Sequence, residues 1–393
     1  YCGEAVVVTI RPVQARDLEE LLRLEQLCFS TDRLSRRSFR RWLRHTGRVF
    51  LVIEGEDNKL NGYVLVILRR GTRMARLYSL AVDPACSGRG LAAALLARSE
   101  QEAREHDALY MRLEVASANE SAIALYRKAG YQPFGLYRDY YDDHDDALRM
   151  EKCIQTPGPA SQSRLIPWIR QSTAFTCGPA ALMMAMNALS ERYRPSHAEE
   201  LQIWREATTI FMTSAHGGCH PVGLALSALK RQFEAEVWVN QEGPLFQEGV
   251  RDGNKKRVLR LVHDAFMQEA EECQLPVHFG VLGQQQLVDA FSAGANILIL
   301  ISTYRLNRRK APHWVVLGGF DDQCLYLQDP ALDADNPEDV AEEARSAMDC
   351  QHLPIMRADF AAMSRFGNTR LQASVILRNR TAAQVSGVMS AHG

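Results

Sequence analysis

The sequence has no apolar run long enough to cross a bilayer. Stretches such as 91–97 and 297–301 fall far short of the roughly 20 residues a spanning helix needs. It also has almost no net charge, −1 from 46 basic and 47 acidic residues, so there is no general electrostatic reason to expect nucleic acid or an anionic membrane as a partner. Nine cysteines are present, but without CxxC pairs or a regular framework. That argues against a disulfide scaffold and suits a reducing, cytoplasmic setting in which a reactive thiol would stay active. The first residues carry no basic segment followed by an apolar stretch, so no export signal is expected. They also carry no initiator Met, which leaves the true beginning open. There is no internal repeat, and nothing in the sequence speaks to oligomeric state.

What is present describes an ordinary globular protein, with 46% hydrophobic and 24% charged residues. At 393 residues the chain exceeds one ordinary core and predicts two domains of mixed α/β class. Residues 6–152 alternate strands with helices: strands at 6–10, 49–53, 62–68, 76–82, 110–115, 131–137 and 147–151, helices at 17–28, 35–44, 91–105 and 121–129. The Pro-, Gly- and Ser-rich stretch 155–164 reads as a linker. Beyond it, helices are predicted at 177–189, 197–207, 221–233, 255–271 and 284–291, and strands at 297–303, 313–320, 324–328 and 371–377. The expected division is a domain over 1–154, a linker over 155–164, a second domain over 165–380 and a tail over 381–393.

The first chemical signal is Ser87-Gly88-Arg89-Gly90-Leu91-Ala92, set between an apolar strand and a long helix. Glycines there let the backbone approach a ligand, and the helix start offers unpaired N–H groups and a positive dipole end, which together suit a pyrophosphate. The surrounding LYSLAVDPACSGRGLAAALL resembles the acetyl-CoA motif of the GNAT acetyltransferases, with Pro84 standing nearest to the place of that motif's first Gln or Arg. LEVASANESAIALYRKAGY resembles the family's second motif. Within the superfamily residues 8–152 look most like the ribosomal-protein alanine N-acetyltransferases, and RDYYDDHDDALRM, with Tyr140 and Tyr141, resembles their peptide-binding tail. The resemblance implies a GNAT fold and acetyl-CoA held by Leu80, Ala81, Val82, Ser87, Gly88, Arg89, Gly90, Leu91 and Ala92, with Asn119 and Tyr126. It implies Tyr126 as the acid that reprotonates the CoA thiolate, and Glu114 as the base acting directly or through water. The chemistry asks for such a base, because an α-amine is mostly protonated near neutral pH. The plain alternatives are a solvated strand carboxylate for Glu114 and a core aromatic for Tyr126. The basic run Arg36, Arg37, Arg40, Arg41 and Arg44 reads first as a solvated face beside Leu34, Phe39, Trp42 and Leu43, and second as a guide for an acidic peptide.

The second signal is a cysteine, Cys177, opening an apolar helix with Pro179 in its first turn. The helix dipole favours its thiolate. Gln171 lies six residues upstream, able to donate to a developing oxyanion. His313 begins a buried-looking strand, and Asp329 ends the next one, where it can orient the imidazole. The order Gln171, Cys177, His313, Asp329 resembles the bacteriocin-processing cysteine peptidases, papain-like enzymes that cleave leader peptides after double glycine, over about 165–378. It implies a papain-like fold and a thiol peptidase or amidase. Two-domain chains of this arrangement also look similar to a bacterial group found beside ATP-grasp peptide ligases, so a ligase-made peptide is one conceivable substrate. His216-Gly-Gly-Cys219-His220 lacks a second ligand pair at zinc spacing and reads as a turn lining the groove.

The expectation is therefore a bifunctional enzyme that acetylates a peptide or protein amine from acetyl-CoA and carries a linked Cys-His-Asp hydrolase, with no metal. Three alternatives stand beside it: a second half that only binds peptide, a small-molecule amine as acceptor, and acyl transfer or deamidation at the thiol.

Overall fold

In the computed structural model the described residues are 9–55, 59–155, 161–209, 211–212, 215–216, 218–247, 250–332 and 346–380. They form two compact units, Tyr1–Pro157 with Asp333–Asp349, and Gly158–Leu332 with Cys350–Gly393.

In the first unit Val49, Leu51 and Ile53 bury one face of a strand while Phe50 and Val52 bury the other, as a sheet covered on both sides requires. That strand is β2 (Arg48–Glu54), which follows β1 (Ile10–Pro12), α1 (Leu18–Cys28) and α2 (Arg36–Arg44). Then come β3 (Leu60–Leu68), β4 (Met74–Val82), α3 (Leu91–Glu105), β5 (Tyr110–Ala116), α4 (Glu120–Lys128), β6 (Gln132–Tyr137) and β7 (Ala147–Cys153). The seven strands run in the order β1-β2-β3-β4-β5-β7-β6. Only β4 and β5 pair in parallel, the step that α3 crosses. Leu21 and Leu24 of α1 and Phe39 and Trp42 of α2 cover one face; Leu91, Leu95, Leu96 and Ile123 cover the other. Each fully buried leucine contributes roughly 2 kcal/mol. Arg36 pairs with Glu19, and Arg37, Arg40 and Arg44 are exposed, so the basic run is the solvated face of an amphipathic helix. The first predicted strand, 6–10, lies mostly outside the described residues, and β1 begins at Ile10.

The second unit opens with β8 (Gln162–Ser163), then α5 (Cys177–Leu189), α6 (His197–Ala207), β9 (Phe211–Met212), β10 (Ala215–His216), α7 (Pro221–Lys230), β11 (Phe233–Val239), α8 (Gly253–Glu272), β12 (Val277–Phe279) and α9 (Gln284–Ser292). There follow β13 (Asn296–Ser302), α10 (Tyr304–Asn307), β14 (Pro312–Phe320), β15 (Cys324–Gln328), β16 (Leu353–Met356), α11 (Arg357–Met363) and β17 (Ala373–Asn379). The main sheet runs β12-β11-β17-β13-β14-β15-β16, with β8 on the end of β14. Met184, Trp204, Leu224 and Phe266 of α5–α8 pack on one face. Leu287, Phe291 and Phe360 of α9 and α11 pack on the other. Among the described residues no helix is long and apolar enough to cross a membrane.

Three expectations are corrected. The stretch read as linker is not all loop, because Gln162 and Ser163 pair with Phe320 and Gly319; residues 156–160 of it lie outside the described residues, as does the tail 381–393. The second expected domain is not continuous, because residues 346–349 cluster with the first unit. The helix predicted over 221–233 stops at Lys230: Gln232 takes φ +66 and Phe233 starts β11.

Candidate functional sites

In the first unit β4 and β5 pair only over Met74–Arg76 against Tyr110–Arg112. Tyr78 is an extra residue in the β3–β4 register, between Leu77 and Ser79, and such a bulge bends a strand. Beyond Arg76 the two strands part. Leu80, Ala81 and Val82 line the resulting cleft, about 860 Å3, together with Ser87, Gly88, Gly90, Leu91, Ala92, Asn119 and Tyr126. Of the residues expected to touch acetyl-CoA, Arg89 alone is not on this lining; it is exposed in the turn.

The cleft suits a pyrophosphate. Gly88 and Gly90 both take φ +75, and a Cβ on either would meet nothing within 4 Å, so the space before the turn is open. The backbone ladder of α3 starts with Ala94 N–H donating to Gly90 O, and no side chain caps the helix. Its first N–H groups therefore point outward without an intrahelical acceptor. Asn119 accepts from Ala122 N–H at 3.1 Å, which fixes the start of α4. Tyr126 from that helix is buried at the cleft, and burial pushes its phenol well up, so it keeps its proton at neutral pH.

Glu114 sits on β5 among charged neighbours. Its Oε2 accepts from Arg76 Nε at 2.9 Å and Nη2 at 2.8 Å. Its Oε1 accepts from the Ser346 hydroxyl at 2.7 Å. Arg76 stands opposite Arg112 in the β4–β5 register, and Arg112 shares a strand face with Glu114. Arg76 also reaches Asp349 Oδ2 at 3.1 Å and the Tyr140 hydroxyl at 3.5 Å. Arg112 donates to Glu151 at 3.1 Å and to the Met348 carbonyl at 3.0 Å. Burial first, then Glu114, pushes the Tyr140 phenol up to about 12, and the same causes push Tyr141 up. Tyr141 also feels Tyr126, so the resemblance's base, acid and tail tyrosines border one region. Sequence reading missed Arg76, Arg112, Ser346 and Asp349. The two arginines left a signal, since each stands among mostly apolar neighbours in its strand and the β4–β5 register brings them side by side.

In the second unit β14 starts with Pro312 and His313, and β15 leads into Asp329. Antiparallel pairing of β14 with β15 brings the two side chains together, with His313 Nε2 2.7 Å from Asp329 Oδ1. That leaves Nδ1 for Cys177, whose sulfur is hydrogen-bonded to His313 and accepts from the Trp314 and Gly178 N–H groups. Burial opposes ionisation of the thiol, yet His313 and those donors hold it below the usual thiol range. Burial likewise opposes the imidazolium, and Asp329 with Cys177 holds it well above the usual histidine range. The centre thus favours a thiolate–imidazolium pair. Asp329 Oδ1 also accepts from Ala331 N–H at 2.9 Å, and Trp168 Nε1 donates to Asp329 O at 2.7 Å, so the carboxylate is fixed in place.

Gln171 is buried beside this group: its N–H donates to Pro330 O at 2.9 Å and its carboxamide to Thr173 O at 2.9 Å. One carboxamide N–H is left over, and the Cys177 N–H precedes the first α5 bond, from Ala180 to Thr176 O. Gln171 and the start of α5 thus each keep a donor of the kind an oxyanion needs. Cys219, which sequence reading placed in a turn, lies against Gly178: a Cβ at 178 would come within 2.9 Å of Cys219 Cβ. Only glycine lets α5 settle there. Burial, then the Cys177 charge, pushes the Cys219 thiol far up, so of these two neighbours only Cys177 is poised to ionise.

Comparison with known proteins follows the same division. The model of the Peptidase C39-like family matches residues 166–378, more than half of the chain, and that of the GNAT acetyltransferase family matches 16–131. A Bacillus subtilis protein assigned as a ribosomal protein bS18-alanine N-acetyltransferase is 29% identical over 142 residues, 36% of this chain and 92% of that one. An uncharacterized N-acetyltransferase of Methanocaldococcus jannaschii is 31% identical over 144 residues, again 36% of this chain and 90% of its own. Among solved structures, the ribosomal-protein-S18-alanine N-acetyltransferase of Escherichia coli aligns at 25% identity and a TM-score of 0.36, over 39% of this chain and 97% of that one.

Proposed function

The chain belongs to the Peptidase C39-like family and carries a GNAT acetyltransferase domain, and on that footing we propose that it acetylates the amine of a peptide or protein and hydrolyses an amide at a separate thiol centre. The observation that carries the first activity is the open turn at Gly88 and Gly90 on the same cleft as Tyr126. Acetyl-CoA would supply the activated acetyl thioester, its pyrophosphate lying on the N–H groups of residues 88–92. Glu114, directly or through water, takes a proton from the acceptor amine, whose nitrogen forms the new bond to the acetyl carbon as the carbon–sulfur bond breaks. Tyr126 donates its proton to the departing thiolate, and burial keeps that proton available. A protein acceptor is the reading favoured over a small amine by Tyr140 and Tyr141, which border Glu114.

The second activity rests on the Cys177–His313–Asp329 arrangement. The Cys177 thiolate attacks the scissile carbonyl, His313 protonates the leaving amine, and the same imidazole then draws a proton from water to release the acyl group. Gln171 and the Cys177 N–H hold the oxyanion. Mass spectrometry of a peptide library incubated with the protein tests both activities. A gain of 42 Da that needs acetyl-CoA supports the first, and cleavage or deamidation that needs Cys177 supports the second. A library unchanged under all conditions would sink both.

A further inference from the structure

Residues 346–349 read Ser-Ala-Met-Asp and lie far along the chain from the strands they touch. They form one tight turn. Ser346 N–H donates to Asp349 Oδ2 at 2.9 Å, Asp349 N–H returns to Ser346 O at 2.9 Å, and Met348 N–H donates to Ser346 Oγ at 3.2 Å. The turn presents three groups to the charged sheet face: its first hydroxyl to Glu114, its third carbonyl to Arg112, and its fourth carboxylate to Arg76. Met348 is fully buried, and Ser346 and Asp349 are nearly so.

This is how a short peptide is held: a polar head on a carboxylate, a main-chain carbonyl on one guanidinium and an acidic side chain on another. Arg76 already has Glu114, and Arg112 already has Glu151, as anionic partners within the sheet itself. Neither arginine needs the turn for charge balance, yet each spends a donor on it. The oxygen of Glu114 that faces the turn is also the one that Arg76 does not hold.

We propose that Arg76 and Arg112 are the acceptor-recognising residues of the acetyl-transfer site, and that residues 346–349 are its resident occupant. The acceptor that displaces the turn is a peptide with a small polar first residue and an acidic fourth residue. This rests on the acetyl-transfer reading above. The α-amine of such a peptide lies within one residue of the hydroxyl now on Glu114, gives its proton to that carboxylate and takes the acetyl group, while Tyr126 protonates the departing thiolate.

The test uses the full chain and the hexapeptide Ser-Ala-Met-Asp-Gly-Lys, free at its α-amine and carrying fluorescein on the lysine side chain. Binding is read by anisotropy, acetylation of the α-amine by mass spectrometry, and folding by thermal melting. Asp349→Ala should bind the probe about tenfold more tightly than the parent and lower its KM by the same factor with kcat unchanged, as expected when a competing internal occupant is removed. Changing the fourth residue of the probe from Asp to Lys should cancel the gain. Ser346→Ala, which removes only a hydroxyl, replaces the first variant if that one melts early. Equal affinity and equal KM in parent and variants, with acetylation intact, overturn the proposal and leave the acetyl-transfer reading standing. A gain in binding with no acetylation by any protein supports the occupant and overturns that reading. No gain and no acetylation overturn both.

Discussion

The thiol centre and the acetyl-transfer centre are both organised around a buried ion pair, but the pairs do opposite things to their key group. At Cys177 every neighbour that matters, His313, the Trp314 N–H and the Gly178 N–H, favours the charged and reactive form. At Glu114 the neighbours occupy the group instead: Arg76 holds one oxygen and Ser346 the other. At Cys177 the partner is a cation that favours the ionised thiol; at Glu114 the partners take up both oxygens. The comparison also separates the two buried thiols. Cys177 and Cys219 lie close together in the same core, yet burial wins at Cys219 and loses at Cys177, because only Cys177 has a cation beside it.

The widest separation between the two centres should come from Gly90→Glu. Its φ of +75 disfavours a side chain, and the carboxylate would project toward a pyrophosphate. Calorimetry should show acetyl-CoA binding lost while the rate of Cys177 alkylation stays at the parent value. Retained binding would remove the turn from the site. The converse is His313→Ala, which takes away the cation that lowers the Cys177 thiol. Alkylation by iodoacetamide at pH 7 should slow about a hundredfold. In the parent it should persist below the usual thiol range and fade only once pH drops beneath the lowered thiol value; in the variant the whole profile moves to higher pH. If Cys219 or another cysteine reacts first, the pair is not what poises Cys177.

Tyr126→Phe sharpens the contrast within the acetyl-transfer centre, since a general acid acts in the transition state and not in binding. Single-turnover acetylation should fall by roughly ten- to a hundredfold with acetyl-CoA affinity unchanged. An unchanged rate would leave Tyr126 as a core aromatic. The smallest effect concerns stability. His220 caps α7, lies 3.1 Å from His263, and is held neutral by burial, its value lowered to about 3. Because the folded value is depressed, its contribution is full above about pH 6.5 and is lost as pH falls toward 3, by roughly 1.4 kcal/mol per pH unit. Four of the five tryptophans, Trp168, Trp204, Trp238 and Trp314, report on that unit. Urea unfolding followed by their fluorescence should show the parent's advantage over His220→Asn shrinking between pH 7 and pH 5. An advantage independent of pH would mean that the imidazole is not titrating as the fold implies.

Much of both centres was legible because the chemistry is written in local runs. The Gly88–Gly90 turn announces itself by lying between an apolar strand and an apolar helix, and Cys177 by its place before Gly178 and Pro179. His313 and Asp329 were legible because sixteen residues suffice for one strand, a turn and the strand beside it. Helices with strong periodicity, α3, α5 and α6, matched their expected bounds within a residue. The strand Phe233–Val239 was missed although Phe233, Ala235, Val237 and Val239 alternate inward, because the preceding helix was extended into it. The short strands β12 and β16 offer too few residues for a period to show. The contacts of residues 346–349 could not be read at all. Nothing in Ser-Ala-Met-Asp marks it as belonging with strands more than 230 residues earlier, and only pairing in space makes Arg76 and Arg112 a single receptor.

The order of synthesis gives that distant turn a further consequence. The strands carrying Arg76, Arg112 and Glu114 are complete once residue 153 has left the ribosome, whereas Ser346 emerges almost two hundred residues later. At ordinary elongation rates that interval lasts roughly 10–40 s. Throughout it the strands carrying Arg76, Arg112 and Glu114 exist without residues 346–349, so each newly made molecule passes through a period, set by translation alone, in which Ser346 is not yet there to bond Glu114.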